Sequence, residues 1–128
     1  MAPLLARHED ALRQLEAGRE REAIMTLRKL VQADPRNPVF RSTLGRAYRE
    51  GGQLRSAIAL YREAVALAPA DPDSWYNLAS ALQAGGLMSE ARLVLDQVIR
   101  LDPRRAEAHN TLGVLLAEGG SPAGAAAS

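Results

Sequence analysis

Apolar residues recur every three or four positions along most of the chain, which is the spacing of one face of an α-helix. One such stripe consists of Leu54, Ala57, Ile58, Tyr61, Ala64 and Val65. The stripe recurs one unit earlier as Ala23, Ile24, Leu27, Leu30 and Val31, and one unit later as Ala91, Leu95, Val98 and Ile99. Valine, isoleucine and threonine never alternate with polar residues over the length of a strand. The pattern therefore predicts an all-α chain of amphipathic helices.

Several kinds of residue share one period of 34 residues. They are the prolines Pro35, Pro69 and Pro103, the glycines Gly18, Gly52, Gly86 and Gly120, the alanines Ala23, Ala57, Ala91 and Ala125, and the leucines Leu44, Leu78 and Leu112. Glycine ends a helix and turns the chain because it tolerates a positive φ. Small residues at Gly45, Ala79 and Gly113 would let two helices approach closely. The period therefore indicates an internal repeat with one helix pair in each unit.

Turn residues set the expected bounds of the helices. The residue before proline avoids the α region, and Asn37-Pro38 and Asp71-Pro72 each match an N-cap followed by proline in the first turn. We place paired antiparallel helices at 4–17 and 20–33, 38–50 and 54–67, and 72–84 and 88–101, followed by a seventh helix at 106–118. The expected organisation is one domain, residues 1–128, with full units at 4–37, 38–71 and 72–105 and a partial unit at 106–128.

The unit has a definite sequence pattern. The second unit contains Arg41-x₂-Leu44-Gly45-x₂-Tyr48, Ala57-x₃-Tyr61 and Pro69, and the third contains Trp75-x₂-Leu78-Ala79-x₂-Leu82, Ala91-x₃-Leu95 and Pro103. The first keeps Ala23-x₃-Leu27 and Pro35 but has Asp10 in the leucine position, and the fourth keeps His109-x₂-Leu112-Gly113-x₂-Leu116. The series resembles the tetratricopeptide repeat (TPR) signature, W-x₂-L-G-x₂-Y, A-x₃-F and P. The resemblance implies a right-handed α-solenoid whose concave groove is lined by the first helix of each unit, and a role in binding peptides or proteins.

Charge and composition exclude several classes of partner. The net charge is +1, so no strong field attracts nucleic acid or an anionic membrane. The chain lacks cysteine, which rules out disulfides, thiolate metal sites and a cysteine nucleophile. The first sixteen residues are interrupted by charged side chains and have no signal-peptide core, and no apolar run approaches the length of a membrane span. We therefore expect a soluble, cytoplasmic protein.

The residues that catalysis would require are scattered. His109 occupies the position of Trp75 one unit earlier, so we expect both to be packing residues of the core. His8 lies beside Glu9 and Asp10, where we expect a solvated helix face. No two histidines stand at positions i and i+4, and neither a G-x-S-x-G nor a phosphate-binding G-x-x-x-x-G-K-[ST] motif is present. The sequence predicts no enzymatic activity, no cofactor and no metal site.

First-helix positions that should face the groove are mostly polar. We expect a partner to contact Ser42, Arg46, Arg49, Tyr76, Asn77, Ser80 and Asn110. Arg46 and Arg49 lie one turn apart and could hold a carboxylate. Asn77 carries both donors and acceptors, which suit an extended backbone, and Tyr76 offers rigid contact area. The alternative for each is a solvated helix face.

These features favour a non-catalytic module that binds a peptide or a partner domain in its groove. An alternative is an accessory repeat segment of a larger enzyme, a transferase or hydrolase, with catalysis elsewhere. A receptor for chaperone C-terminal tails, one known subclass of this family, is disfavoured because the groove positions of the third unit carry no lysine or arginine.

The last helix carries much apolar surface for the outer edge of a solenoid. Leu112, Leu115 and Leu116 would form an open edge where natural solenoids usually have a polar cap. One hypothesis is that the chain is a fragment of a longer repeat protein, cut within its fourth unit. A second is that the edge self-associates with another copy. A third is a tolerated, frayed end with residues 119–128 disordered.

Overall fold

The computed structural model describes residues 4–119, with side chains as far as residue 117. Over these residues the chain forms seven α-helices joined by short loops: α1 (Leu4–Glu16), α2 (Glu20–Ala33), α3 (Pro38–Glu50), α4 (Leu54–Leu67), α5 (Pro72–Ala84), α6 (Met88–Leu101) and α7 (Ala106–Gly119). Their bounds agree with the sequence-based prediction to within one residue. The all-α expectation is therefore confirmed, while the expected continuation of the fourth unit beyond residue 119 lies outside the described residues.

Consecutive helices pack against one another along the whole series, so the helices form a stack of hairpins. The first helices of neighbouring hairpins also touch, α1 against α3 and α3 against α5. The second helices, α2, α4 and α6, make fewer contacts with one another. The layer of first helices is therefore the tighter, inner side of the stack.

The turn within each hairpin depends on one glycine with a positive φ. Gly18, Gly52 and Gly86 have φ of 77°, 83° and 77°, a region in which other residues are strained. The residue after each glycine donates its backbone N–H to the carbonyl five residues earlier, as in the bond of 2.7 Å from Gln53 to Tyr48. This closure satisfies a carbonyl at the end of the first helix and fixes where the second helix begins.

The turn between hairpins is closed by a side-chain cap. Asn37 Oδ1 accepts from the backbone N–H groups of Val39 at 2.9 Å and Phe40 at 3.2 Å, and Pro38 occupies the first turn of α3. Asp71 caps α5 by accepting from the backbone N–H of Asp73 over 3.2 Å and from the Ser74 hydroxyl over 2.9 Å. These caps satisfy N–H groups that have no partner within the helix and confirm the two N-caps read from the sequence.

In the second, third and fourth units, the side chain at the first position of the repeat signature donates a hydrogen bond to the backbone carbonyl of a proline six residues earlier. Three different side chains make this bond. The donors are Arg41 to the carbonyl of Pro35 (2.9 and 3.1 Å), Trp75 to that of Pro69 (2.8 Å) and His109 to that of Pro103 (2.8 Å). Trp75 is half-buried and packs against the core. The expectation that His109 is a packing residue is wrong, because its ring is exposed and serves as a donor to the loop. The position selects a planar N–H donor.

Two buried clusters run through the stack. The first joins α1, α2 and α3 around Leu27, Leu30 and Phe40. The second joins α4, α5, α6 and α7 around residues such as Leu95. Tyr48 packs against both clusters. The core is therefore continuous along the stack, as expected of a solenoid in which each repeat buries its apolar face against its neighbours.

The helices of the second hairpin approach most closely at Gly45. A Cβ atom at this position would lie 2.9 Å from Cε1 of Tyr61, which is closer than non-bonded carbon atoms can approach. At the equivalent position in α7, a Cβ at Gly113 would meet no described atom within 4 Å. The same repeat position is therefore a tight contact in one hairpin and open in the last helix.

The N-terminal edge of the stack is polar. Asp10 and Arg13 form an ion pair on α1, and Thr26 Oγ1 donates to Gln14 Oε1 over 3.1 Å. One unit later the same positions are buried or half-buried and pack within the stack: Leu44, Ala47, Tyr48 and Leu60. The first unit therefore carries polar side chains on its outer side, at positions where the second unit carries core residues.

The two glycines give a matched test of helix approach. Gly45→Ala and Gly113→Ala share the same gain in helix propensity, about 1 kcal/mol, but only the first forces a methyl group against the Tyr61 ring. We expect Gly45→Ala to be about 1–3 kcal/mol less stable than Gly113→Ala in urea unfolding followed by circular dichroism. Equal stability of the two variants would contradict the close approach.

Candidate functional site

An open cleft of about 600 Å³ lies on the inner side of the stack, between α3 and α5. Its lining residues are Ser42, Thr43, Arg46, Arg49, Glu50, Tyr61 and Asn77. Helix α3 forms one wall, Asn77 of α5 stands opposite, and Tyr61 of α4 rises between them from the hairpin core. Four residues expected in a groove, Ser42, Arg46, Arg49 and Asn77, therefore line one cleft.

Two arginines give the cleft a basic wall. Arg46 Nε donates to Glu50 Oε2 over 2.7 Å within α3, an exposed pair of the kind that contributes little and exchanges readily. No carboxylate of the described side chains lies within 4.0 Å of the Arg49 guanidinium. Arg49 lines the cleft beside Tyr61, so its guanidinium can donate to an anion that enters the cleft.

Tyr61 belongs to the core and to the cleft at once. Its side chain is only 3 % exposed, yet its hydroxyl end reaches the cleft beside Arg49. Burial raises the pKa of Tyr61, and the charges of Arg49 and Arg46 offset that effect only in part. The hydroxyl is therefore protonated at neutral pH and can donate a hydrogen bond. Sequence analysis placed Tyr61 in the apolar stripe alone. The signal for its second role was its place opposite Gly45 in the repeat signature, where the two helices approach closely.

Pairs of polar side chains join neighbouring first helices on the inner side of the stack, and each such pair is called a rung below. Thr43 Oγ1 donates to the carbonyl of Val39 over 3.0 Å, so its oxygen accepts from His8 Nε2 over 2.8 Å. The His8 ring also packs against Phe40, with ring centroids 5.4 Å apart. Burial lowers the pKa of His8, against a smaller opposing effect of Glu9. The expectation of a solvated His8 is therefore wrong, because the ring is half-buried between α1 and α3.

A rung of the same construction joins α5 to α7. Thr111 Oγ1 donates to the carbonyl of Glu107 over 2.8 Å, and the Tyr76 hydroxyl donates to Thr111 over 3.3 Å. The Arg105 guanidinium lies 5.6 Å from the centre of the Tyr76 ring and pairs with Asp73. Tyr76 is therefore engaged within the stack and does not line the cleft.

The rung between α3 and α5 is open, because its two side chains do not hydrogen-bond to each other. Ser42 and Asn77 occupy its two positions, one on α3 and one on α5. Neither side chain makes a hydrogen bond to another group in the part of the chain that the structure describes, and both line the cleft. Their donors and acceptors are therefore available to a bound molecule at the point where Arg46 and Arg49 converge.

The remaining predicted residues lie elsewhere. Ser80 is half-buried on α5 and Asn110 is exposed on α7, and neither lines the cleft. Leu115 is 1 % exposed, so its expected place at the open edge is wrong, because its side chain belongs to the buried cluster of α4 to α7. Leu112 is half-buried, whereas Leu116 is 45 % exposed.

No group of three or more His, Asp or Glu side chains between residues 4 and 117 could hold a metal ion. None of α1 to α7 is both long and apolar enough to cross a membrane. The cleft between α3 and α5 is the candidate site because two arginines, Tyr61 and the open rung of Ser42 and Asn77 line it together.

Solved structures similar to this chain include repeat domains with bound peptides. The first TPR domain of Spaghetti (RPAP3), bound to the HSP90 peptide SRMEEVD, is 27% identical with a TM-score of 0.86, and the match covers 92% of this chain and 94% of that one. The first TPR domain of human RPAP3 is 28% identical with a TM-score of 0.82, covering 88% of each chain. The Thermobaculum terrenum O-GlcNAc transferase is 27% identical with a TM-score of 0.78, over 91% of this chain and 23% of the transferase.

Family models match adjoining parts of the sequence. A model described as "TPR repeat" matches residues 45–86, and two described as "Tetratricopeptide repeat" match residues 14–59 and 76–128. No curated protein matches the chain. The three models together span residues 14–128, and their repeat agrees with the helix pairs, turns and signature contacts described above. The chain belongs to the tetratricopeptide repeat family.

Proposed function

We propose that the chain is a non-catalytic module that binds an extended, acidic peptide segment of a protein partner in the cleft between α3 and α5. The observation that carries the proposal is the convergence of Arg46 and Arg49 with the open rung of Ser42 and Asn77. Arginine binds a carboxylate through two parallel hydrogen bonds. The basic wall therefore suits an Asp or Glu side chain, or a C-terminal carboxylate.

The open rung supplies the groups that a peptide backbone requires. Asn77 has a carbonyl oxygen and an amide, so it can accept from and donate to one peptide unit. Ser42 and the Tyr61 hydroxyl add a donor on the facing side. Backbone contacts of this kind hold an extended chain whatever its sequence, while the arginines select its charge.

Peptide-bound relatives support this use of the inner surface. The HSP90 peptide in the RPAP3 complex is acidic, in agreement with the charge of the cleft. Asp73, Tyr76, Asn77, Ser80 and Gln83, the groove positions of the third unit, include no lysine or arginine. We therefore propose an acidic segment in general and not a chaperone tail in particular.

Removing both arginines tests the basic wall. The probe is a fluorescein-labelled nonapeptide of Gly and Ser with two Glu residues, compared with the same peptide carrying Gln. We expect Arg46→Ala/Arg49→Ala to weaken binding of the Glu peptide at least tenfold in fluorescence anisotropy, because two charge-assisted hydrogen-bonding groups are lost. Helix content measured by circular dichroism should stay unchanged.

A charge-matched control separates local contact from general attraction. Arg55→Ala/Arg92→Ala removes two exposed arginines from α4 and α6, outside the cleft, and gives the same change in net charge. We expect this variant to retain the wild-type affinity for the Glu peptide. A loss equal to that of the cleft variant, or no loss in either, would refute the cleft as the binding site.

The match to a transferase favours a second candidate function. The O-GlcNAc transferase contains a region similar to this chain in less than a quarter of its length. A TPR segment can therefore be one part of an enzyme whose catalysis lies elsewhere. In that arrangement the cleft would bind a peptide for the enzyme, and the sequence of the full gene distinguishes the two functions.

Exposed apolar residues on α7 favour self-association as an additional property. Leu116 is 45% exposed, Leu112 one turn before it on the same face is half-buried, and a Cβ at the neighbouring Gly113 would meet no described atom within 4 Å. Apolar surface of this kind at the edge of a stack is a contact site for another helix. A second copy of the chain would supply one.

Sedimentation velocity over a wide concentration range tests the edge. We expect the wild-type chain to form a dimer that Leu116→Gln dissociates, because the substitution places an amide in an apolar contact. Leu93→Gln is the matched control, since Leu93 is 70% exposed on α6. A monomer at every concentration would remove self-association from the account.

A further inference from the structure

We infer that the cleft continues into an apolar subsite, formed by Leu5 and Val39, that binds a bulky apolar side chain of the same acidic peptide. The inference rests on the proposed function, because it concerns the segment that the arginines hold. It specifies the partner: an extended segment with an apolar residue four positions from an Asp or Glu.

Val39 extends the cleft wall by one helical turn. Cleft-lining residues of α3 lie on one stripe, Ser42 and Thr43, Arg46, and then Arg49 and Glu50. Val39 precedes Ser42 by three residues and Arg46 by seven, so it lies on the same stripe. Its side chain is 54% exposed, and its carbonyl accepts from the hydroxyl of Thr43 in the wall. The stripe therefore changes from basic to apolar along α3.

The register of the repeat places Leu5 of α1 on the same inner surface as Val39 of α3. Leu5 lies one turn before His8 on α1, and His8 contacts Thr43 of α3, one turn after Val39. The two residues occupy the same repeat position in the first and second units, and Leu5 is 70% exposed. In the third and fourth units this position is Asp73 and Glu107. The apolar pair is therefore confined to the end of the inner surface formed by α1 and α3.

Helix geometry fixes the distance between the two subsites. Val39 precedes Arg46 by seven residues and Arg49 by ten, which corresponds to about 10 and 15 Å along α3 at 1.5 Å per residue. An extended peptide advances about 3.3 Å per residue and presents every second side chain to the same side. A separation of four residues, about 13 Å, meets both conditions.

Charge and size favour a peptide over other occupants of this surface. The apolar pair is two side chains wide and adjoins a basic wall, so it suits one apolar residue of an acidic segment. A stable dimer buries about 800 Å² on each partner, far more than two side chains supply.

A series of host peptides tests the spacing. Each fluorescein-labelled peptide of Gly and Ser contains one Leu and one Glu separated by two, three, four or six positions, in both orders, and a reference peptide contains Glu alone. We expect one order with a separation of four to bind wild-type protein about tenfold more tightly than the reference peptide in fluorescence anisotropy. Other separations should gain threefold or less.

Substitutions of Leu5 and Val39 test whether these two residues cause the gain in affinity from the peptide Leu. We expect Leu5→Ser/Val39→Ser to abolish the gain from Leu while leaving affinity for the Glu reference peptide unchanged. Leu93→Ser, a similarly exposed leucine on α6, should keep the gain. Both replaced residues are exposed and outside the buried clusters, and unfolding curves verify that the variants are folded.

The outcomes distinguish this inference from the proposed function. Equal affinity at every separation, or a gain that survives Leu5→Ser/Val39→Ser, overturns the apolar subsite while the arginine result stands. Loss of the gain in Leu93→Ser as well would also overturn it, because the effect would not be local. If Arg46→Ala/Arg49→Ala leaves the Glu reference peptide unaffected, the proposed function itself fails and the subsite has no partner to extend.

Discussion

The close approach of two helices at Gly45 governs both the fold and the cleft. Without a Cβ at that position, the ring of Tyr61 lies against the backbone of α3, and the hairpin is narrow enough to bury Ala57 and Leu44 on its two sides. The third unit has Ala79 and Leu95 at the equivalent positions, so a smaller aliphatic side chain there leaves room for a methyl group. The contact of the Tyr61 ring with the α3 backbone therefore sets the spacing of the second hairpin, against which both neighbouring hairpins pack.

The candidate site follows from that contact. The ring that fills the hairpin carries the hydroxyl that reaches the cleft, so the floor of the site is held by the core. The walls are built differently, from helix surfaces that the fold leaves free to vary. Closed rungs on either side, His8 to Thr43 and Tyr76 to Thr111, brace the inner helices against each other and leave one open rung between them. The scaffold is rigid where the groups that could recognise a ligand are exposed.

Sequence reasoning located the helices well because glycine and proline act locally: a positive φ at Gly52 or a cap at Asn37 involves only a few neighbouring residues. It placed Arg46, Arg49, Ser42 and Asn77 on one surface because helical spacing is regular. It failed where a contact joins separate units. His8 contacts Thr43 of the next unit, His109 donates to a preceding loop, and Leu115 is buried against a different helix. Tyr61 was interpreted as a core residue alone because helical periodicity assigns each residue to one face of its helix. Its long aromatic side chain in fact extends from the core to the cleft.

The two outer sides of the helix stack differ in polarity, because the outer side of α1 and α2 is polar. Asp10, Arg13, Gln14 and Thr26 satisfy one another there, so burying them under an apolar helix would cost their hydration without offering new partners. If α7 self-associates as proposed, the α1 side of a second copy offers it no apolar counterpart, so head-to-tail addition into an open filament is disfavoured. The proposed contact would then join α7 to the α7 of a second copy, which is two-fold symmetric and closes at two chains. Four polar side chains on one side of the described helices would in this way limit the order of assembly on the other side.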